Sequence, residues 1–487
     1  MIDSVAPATR LPSLVAGGLD EAAATEFVHA LEACAVSEAN VPRRVPEASQ
    51  RGLDTENLQL ACRRGRTLLA ALPVRSKREG AAKEAGHAIT HLMADVSWRF
   101  FRLYASTLYR ELTEDGKLSL RVDALLEAAA ARLPQVLPTE AELAAERELM
   151  QQDKDGLEIA QGLFVSQVCA DPQCGHHLLR SMLRPLPGSL ERLAEFTREG
   201  RIDLGTVKVQ VDGQTAYVYL HNERYLNSED DTTVVPLEMA FDLVLLHPDV
   251  RMGVLRGSVV DHPKYAGRRV FCSGINLTRI YQGKQSYLSF LFRNMAMHTK
   301  LYRGLLPVEV PNGLSMPNVE PEETLEKPWV AVVESFAIGG GCQLLLVVDY
   351  VIAEEGSYFS LPARKEGILP GASNMRLPRF VGERLAREAI MFDRAFQADS
   401  PEGRMIANQV VPMAEIDEAV QDCVAKAVDS GMVSAGGNRK AMRIQTEPME
   451  TYRQYMATYA YEQAFCHLSE QLIANLERHW NAKARTL

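Results

Sequence analysis

The N-terminal part of the chain, as far as residue 200, carries a helical pattern of apolar positions. Apolar residues recur there at intervals of three and four, separated by glutamate and arginine, as in amphipathic helices. Alanine, leucine, glutamate and arginine dominate this part and are strong helix formers. The pattern predicts helices over residues 19–34, 58–72, 81–112, 121–132, 140–150, 157–169 and 189–199.

The pattern changes at Gly205 to short apolar runs typical of strands. Two runs flank Asp212 and Gly213, a pair that favours a hairpin turn. The predicted strands are 207–211, 216–220, 253–257, 329–333 and 350–353, with a helix over 237–246. Strands that alternate with helices predict an α/β fold class. Helical patterns return over 417–430 and 450–480.

These changes of pattern predict three segments. The first is a largely helical N-terminal domain, residues 1–200, and the second is an α/β core, residues 201–435. The third is a C-terminal helical segment, residues 436–487, whose aromatic residues either pack on a neighbouring chain or fold back on the core.

Composition and charge narrow the classes of function. The 487 residues carry a net charge of −10, which argues against a general binder of nucleic acid or anionic membranes. We see no run of 18 or more uncharged apolar residues and no secretion signal at the N-terminus. Eight scattered cysteines do not form a disulfide framework. We therefore expect a cytoplasmic protein with neither nucleic acid nor membrane as a partner.

One cluster superficially resembles a zinc site. Cys169, Cys174, His176 and His177 fall within nine residues, which would crowd the ligands on one short loop. No second pair of cysteines or histidines stands at a suitable spacing. We predict no metal site here or elsewhere in the chain.

Two glycine turns follow predicted strands and point to chemistry. The first lies in the segment Phe271-Cys272-Ser273-Gly274-Ile275-Asn276-Leu277, and the second in Ala337-Ile338-Gly339-Gly340-Gly341-Cys342-Gln343-Leu344. Glycine allows tight turns and close approach of the backbone to a ligand. Two such turns facing one point would form an oxyanion hole with two backbone N–H donors, able to hold a thioester enolate.

These segments resemble the crotonase (enoyl-CoA hydratase/isomerase) superfamily. The two turns match its motifs FCAGADL and AxGGGCEL. Further blocks follow in the family's order at 220–228, 349–353, 359–362 and 367–372, so the likeness covers residues 206–430. The resemblance implies a crotonase-like ββα spiral core and a homo-oligomer, either a trimer or a hexamer.

The chain departs from the hydratase pattern at both acid/base positions. A hydratase needs two carboxylates there to move protons, but this chain has Gln343 and Ala363. One branch of the superfamily fits better, the cofactor-independent (3,5-dihydroxyphenyl)acetyl-CoA 1,2-dioxygenases of antibiotic biosynthesis. The resemblance to that branch comprises the helical N-terminal half, the glutamine and an insertion at 259–269.

The resemblance to this branch implies the reaction, its partners and the site residues. The substrates would be an arylacetyl-CoA and O2, with no cofactor. Ile275 and Gly340 would donate the oxyanion N–H groups, and Gln343, Glu229 and Arg293 would contact the ring hydroxyls. The substrate-binding residues would be Glu223, Glu229, His262, Pro263, Lys264, Tyr265, Ser273, Gly274, Asn276, Leu277, Thr278 and Arg293.

Several alternatives stay open at this point. A hydrolase or decarboxylase acting on a CoA thioester would use the same oxyanion hole without O2. A non-catalytic acyl-CoA-binding protein would also lack the two acids. Arg293 could form a structural ion pair, Glu229 could sit at a solvated helix N-terminus, and Gln343 could bond neighbouring backbone. Lys264, Arg268 and Arg269 either pair with CoA phosphates or are surface charge.

Overall fold

The computed structural model describes residues 7–34, 48–314, 323–429 and 434–486. The N-terminal half is helical, as the apolar spacing predicts. Its helices are α1 Leu11–Ala16, α2 Glu21–Ala33, α3 Ala48–Ala71, α4 Gly80–Leu112, α5 Val122–Arg132, α6 Glu140–Glu146, α7 Ile159–Ala170, α8 Pro172–Met182 and α9 Pro187–Glu199. Side-chain caps fix several starts: Asp20 accepts the N–H of Ala23 at 2.9 Å, and Thr139 with Glu142 forms a capping box.

Ten strands follow in the described residues. They are β1 Arg201–Asp203, β2 Val207–Asp212, β3 Thr215–Leu220, β4 Met252–Gly257, β5 Trp329–Val333, β6 Phe336–Ile338, β7 Tyr350–Glu354, β8 Tyr358–Ser360, β9 Phe396–Gln397 and β10 Gln409–Val411. Seven form one sheet in the order β1-β2-β3-β4-β5-β7-β10, and β6, β8 and β9 form a second. The predicted hairpin is present, with Val209 opposite Val218. From β3 to β10 the neighbours run parallel.

The remaining helices lie between the strands along the chain and after the last of them. They are α10 Val234–Leu246, α11 Leu277–Tyr281, α12 Tyr287–Phe292, the π-helix Arg293–His298, α13 Thr299–Arg303, α14 Gly340–Leu345, α15 Ala363–Glu366, α16 Ser373–Phe392, α17 Ile416–Asp429, α18 Ala435–Thr446, α19 Met449–His467 and α20 Glu470–Trp480. No helix in the described ranges is long and apolar enough to cross a bilayer.

The main sheet is covered on both faces, so its central strands are apolar throughout. All five residues of β5 are buried. Val330 and Val332 pack with Ile416 and Val420 of α17 on one face. On the opposite face the ring of Trp329 meets Phe241 of α10, with the ring centres 5.1 Å apart. This layered α/β arrangement confirms the predicted fold class.

The C-terminal helices fold back on the N-terminal ones. Tyr452, Met456 and Tyr459 of α19 share one hydrophobic cluster with α4, α7 and α12. The contact with α7 is close, because a methyl group on Gly162 would lie 2.5 Å from Ala464 Cβ. This cluster crosses residue 200, so the predicted segment boundaries do not coincide with the limits of a hydrophobic core.

One sequence interpretation is wrong. The residues from Cys169 to His177 do not form a loop, since they end α7 and begin α8. Asp171 caps α8 by accepting the N–H groups of Gln173 and Cys174. His177 Nδ1 lies 2.6 Å from the Tyr109 hydroxyl, and its Nε2 lies 3.1 Å from Gly116 O. Its two ring nitrogens are therefore occupied in the packing of the helices.

Candidate active site

The two glycine turns predicted from the sequence lie in contact. Cys272 pairs in parallel with Ala337 of β6, and Ile338 N donates to Cys272 O at 3.0 Å. Gly274 has φ +82°, and a methyl group there would lie 2.7 Å from Ile338 O and 3.2 Å from Gly340 N. The two backbone segments can approach this closely only because residue 274 is glycine.

Each of the two turns carries one backbone N–H group without a hydrogen-bond partner in the described residues. Within the described chain, neither Ile275 N–H nor Gly340 N–H donates a hydrogen bond to another residue. Gly340 is the first residue of α14, so its N–H has no partner within the helix. Backbone N–H groups without a partner stabilise an oxyanion when they face one point.

A buried ion pair lies directly behind Gly340. Glu229 bonds to Arg293, the first residue of the π-helix, and both side chains are almost wholly buried. A methyl group on Gly340 would collide with both, 1.9 Å from Glu229 Oε2 and 2.1 Å from Arg293 Nη2. Burial raises the pKa of Glu229, and Arg293 opposes that rise. The structure thus brings three of the predicted site residues together.

Hydrogen bonds hold Glu229 in place beside the first turn. Its N–H donates to Gly274 O at 2.8 Å, and its carbonyl accepts the N–H of Asn276 at 2.8 Å. Because Glu229 is buried and precedes α10 by several residues, the alternative of a solvated helix N-terminus is wrong. Arg293 forms the ion pair that one alternative allows, and this pair lies against the second turn.

Gln343 lies one turn beyond Gly340 on α14 and is also buried. Its Oε1 has no hydrogen-bond partner in the described part of the chain. A methyl group on Gly371 would lie 2.4 Å from this oxygen and 2.6 Å from Asn294 Oδ1. An amide carbonyl that is buried without a donor is a suitable acceptor for a ligand hydroxyl.

A cavity of about 670 Å³ opens in front of the turns. The predicted residues that line it are His262, Lys264, Tyr265, Ser273, Ile275, Asn276, Leu277 and Thr278. Gly340, Gln343, Glu229 and Arg293 are not among the residues that line it. Pro263 and Gly274 belong to lining segments without lining the cavity themselves.

The loop after β4 forms the outer wall of the cavity. The Tyr265 ring packs on Phe336 at 5.4 Å, and Lys264 Nζ lies 5.1 Å from the Tyr265 ring centre. Arg268 pairs with Glu354 at 2.5 Å, and Arg269 donates to Gly257 O at 3.1 Å. Of the three basic residues in this loop, Lys264 alone lines the cavity and is available to a ligand.

Glu223 is not brought to the cavity. Its carboxylate lies 3.0 Å from His221 Nδ1, and its neighbours Arg224 and Tyr225 form the wall instead. The C-terminal segment supplies Trp480 and Arg485 to the lining of the cavity. Nothing in the local sequence marks these two residues, because α20 reaches the cavity only through the packing of the C-terminal helices.

The family profile described as Enoyl-CoA hydratase/isomerase matches residues 319–480. A (3,5-dihydroxyphenyl)acetyl-CoA 1,2-dioxygenase from Amycolatopsis orientalis is 42% identical over 414 residues, which are 85% of this chain and 93% of the relative. This chain belongs to the (3,5-dihydroxyphenyl)acetyl-CoA 1,2-dioxygenase family. The likeness extends well beyond the segment 201–435 and into the helical N-terminal half.

More distant relatives share a smaller part of the chain. A carnitinyl-CoA dehydratase from Salmonella typhi is 23% identical over 248 residues, covering 50% of this chain and 77% of the relative. An enoyl-CoA hydratase structure from Mycobacterium avium subsp. paratuberculosis matches with a TM-score of 0.46 and 18% identity, covering 58% of this chain and all of the neighbour.

One buried carboxyl at the cavity was not identified from the sequence. Glu366, at the end of α15, is buried and lines the cavity. Burial raises its pKa to about 7, opposed by Arg293 and assisted by Asp393. The sequence signal was the glutamate directly before the Gly367-Ile368-Leu369-Pro370 block, but the family motif directs attention to Ala363.

The described ranges contain no group of three or more histidine, cysteine or acidic side chains placed to hold a metal ion. Of the two acidic side chains nearest the turns, Glu229 is paired with Arg293, and Glu366 forms no ion pair in the described residues. The polar groups that converge on the site are therefore backbone N–H groups, one ion pair, an amide and one carboxyl.

Proposed function

We propose that this protein is a dioxygenase that converts (3,5-dihydroxyphenyl)acetyl-CoA and O2 into (3,5-dihydroxyphenyl)glyoxylate and CoA, without metal or organic cofactor. The observation that carries the proposal is 42% identity to a dioxygenase of that name over 85% of the chain. The contact between the two glycine turns supports it independently.

The thioester oxygen would lie between the N–H groups of Ile275 and Gly340. Loss of an α-proton moves negative charge onto this oxygen, and preorganised donors stabilise that charge most where it develops. Because Gln343 and Ala363 replace the two hydratase acids, the usual route for adding water to a double bond is absent. Enolate formation remains as the chemistry that the two turns favour.

The ring hydroxyls would contact the buried polar groups behind Gly340. The Gln343 carbonyl would accept a hydrogen bond from one hydroxyl, and the Glu229–Arg293 pair would hold the other hydroxyl. Arg293 would stabilise phenolate character in the ring. A more electron-rich ring makes the conjugated enolate a better donor of one electron to O2.

The oxygen step balances without another reactant. One electron passes from the enolate to O2, and recombination forms a bond between the α-carbon and one oxygen atom. The outer oxygen of this peroxide attacks the thioester carbonyl, and the C–S bond breaks to release CoA thiolate. The O–O bond then breaks as the second α-proton leaves, which gives the glyoxylate.

The outer cavity would hold the CoA portion. Its volume of about 670 Å³ falls in the range of ligand sites in proteins. Lys264 and Arg485 lie on its walls and would face the phosphates. We extend the proposal to a homo-oligomer, trimer or hexamer, that works in the cytoplasm.

One assay tests the proposed function. The protein is incubated with (3,5-dihydroxyphenyl)acetyl-CoA and a metal chelator while O2 uptake, thiol release and glyoxylate are measured together. Equal amounts of all three support the dioxygenase. CoA release without O2 uptake would instead identify a hydrolase, and binding without turnover would identify a non-catalytic acyl-CoA-binding protein.

A further inference from the structure

The proposed reaction begins with the loss of an α-proton, yet the two positions that carry acids in hydratases cannot accept one. The side chain of Gln343 is an amide, and that of Ala363 is a methyl group. The inference below rests on the proposed function, because it identifies the base that this reaction requires.

Glu366 lies on the same helix face as the missing acid. It stands three residues beyond Ala363 on α15, and residues three apart on a helix are neighbours on one side. Gly367 has φ +79° and ends the helix directly after it, with its N–H bonded to Ala363 O at 2.7 Å. The carboxyl thus emerges one turn away from the position that a hydratase uses.

The Glu366 carboxyl lies against the second oxyanion turn. A methyl group placed on Gly339 would lie 3.6 Å from Glu366 Oε1. Gly339 directly precedes Gly340, whose N–H is one of the two unpaired donors. A thioester oxygen held by that N–H would bring its α-carbon close to the Glu366 carboxyl.

Glu366 also differs from the other buried carboxyls near the turns, because no arginine in the described residues forms an ion pair with it. Glu229 bonds to Arg293, Glu334 to Arg256, and Glu354 to Arg268. No residue in the described ranges donates a hydrogen bond to the Glu366 side chain. A buried carboxyl that lines a ligand cavity without such a bond is free to take a proton from the ligand.

We propose that Glu366 is the base that removes the α-proton of the bound arylacetyl thioester. The C–H electron pair becomes the enolate double bond, and the negative charge moves to the oxygen held by Ile275 and Gly340. Glu366 becomes a neutral carboxylic acid. In the complete reaction the CoA thiolate takes one of the two α-protons and the other is released to water.

The charges around Glu366 suit this role. Burial raises its pKa to about 7, Arg293 from the π-helix lowers it, and Asp393 beyond α16 raises it. Leu472 and Asn475 of α20, which pack against the adjoining Gly367, are uncharged. A base is most effective when its pKa is near the working pH, because it is then both ionised and basic.

Deuterium exchange without O2 isolates this step. Under nitrogen in D2O, the wild-type protein should exchange the α-protons of (3,5-dihydroxyphenyl)acetyl-CoA, as measured by mass spectrometry. Glu366→Gln should slow exchange and O2 uptake by about a hundredfold to ten-thousandfold while the dissociation constant of the thioester changes little. The wild-type exchange rate should rise as the pH passes about 7, and this rise should be missing in Glu366→Gln.

Two further variants complete the design. Glu366→Asp keeps the carboxyl but shortens it by one methylene group, so exchange should be intermediate and should keep its rise with pH. Glu383→Gln makes the same chemical change at an exposed carboxyl of α16 and should exchange like the wild type. Circular dichroism and thioester binding verify that each variant is folded.

The outcomes separate this inference from the proposed function. A wild-type protein that neither exchanges nor takes up O2 overturns the proposed function. If Glu366→Gln exchanges deuterium and takes up O2 at the wild-type rates, Glu366 is not the base, and the proposed function is unaffected. If Glu366→Gln no longer binds the thioester, the Glu366→Asp variant tests the role of Glu366 instead. An intermediate rate of deuterium exchange in Glu366→Asp supports Glu366 as the base. A Glu366→Asp protein that binds the thioester but exchanges no deuterium overturns that role.

Discussion

At the scale of single residues, the site depends on what lies immediately behind Gly340. Gln343 is neutral and lies one turn after Gly340, which itself contacts the Glu229 carboxylate and its arginine partner. We predict that Gln343→Glu lowers kcat by about tenfold or more, because a second buried carboxylate repels the developing enolate. The dissociation constant of a CoA thioester analogue should change less, and the comparison of kcat with binding measures the difference.

Gln397→Glu is the matched control for this change. Gln397 is an exposed residue of β9, so the same substitution there should leave kcat and binding unaltered. Unchanged turnover in Gln343→Glu would remove Gln343 from the site, while equal losses in both variants would point to a general effect of added charge.

We also predict that loss of the Glu229–Arg293 ion pair lowers the stability of the folded protein. Arg293→Met leaves the Glu229 carboxylate buried without its partner, which costs about 3–5 kcal/mol of unfolding free energy. The double variant Arg293→Met with Glu229→Gln should recover part of this loss. Urea denaturation of the single and double variants measures both. Arg387→Met, in an exposed pair with Glu383, is the control and should change little.

The sequence located most of these residues because family motifs place them at fixed positions. Ile275, Gly340 and Gln343 stand within the two turn motifs, and the structure brings those turns together. Glu366 was not predicted, because the family motif marks only the position of Ala363. A residue three positions later on the same helix face is outside that motif. Trp480 and Arg485 reach the cavity through long-range packing, which no local pattern encodes.

At the scale of elements, the close packing of α7 on α19 supports the site from behind. α19 carries Tyr455, whose hydroxyl bonds to Gly371 O next to Gln343. We predict that Gly162→Ala destabilises the protein by about 1–3 kcal/mol, because the added methyl group forces the two helices apart. Thermal unfolding measures the loss, and kcat should fall with it as the Gly371 loop moves.

Gly52→Ala is the control at this scale. Gly52 lies in α3 with nothing within 4 Å of an added methyl group. Alanine is the better helix former, so this variant should be as stable as the wild type or more stable by up to about 1 kcal/mol. A Gly162→Ala protein of wild-type stability would contradict the close packing.

The elements themselves were predicted to different degrees. The five predicted strands of the main sheet follow from strong apolar patterns and agree with the structure within about one residue at each end, but β1 and β10 were not predicted. Among the long helices, α3 begins at Ala48, ten residues before the predicted start. α8 was missed because the cysteines and histidines at its start drew attention as possible ligands, although Asp171-Pro172 is a helix-start signal. The π-helix after Phe292 has no pattern of its own, since one extra residue in a turn depends on tertiary contacts.

At the scale of the whole molecule, one buried carboxylate joins the C-terminal helices to the core. Glu447, between α18 and α19, accepts bonds from Arg376 and Arg379 of α16 at 2.9 Å. Arg303 of α13 lies 3.7 Å from the same carboxylate. Burial alone would raise the pKa of Glu447, but the arginines outweigh it and hold the pKa at about 2.

This junction predicts how stability changes in acid. The pKa of Glu447 is lower in the folded chain than its value of 4.5 for an unperturbed glutamate, so its stabilising effect is present above pH 4.5 and is lost as pH falls toward about 2. The difference corresponds to about 3 kcal/mol. In Glu447→Gln the side chain cannot ionise, and at neutral pH the arginines lose their partner. The gap in unfolding free energy between wild type and variant should therefore narrow by about this amount between pH 5 and pH 2.

Urea denaturation at several pH values measures this gap. Glu355→Gln, at an exposed position, is the control and should follow the wild-type curve. Other buried groups, such as His467 with its pKa lowered to about 3, also change the stability in acid, but they are common to both proteins and cancel in the difference. A gap that stays constant from pH 5 to pH 2 would mean that the arginines do not hold Glu447 ionised in the folded protein.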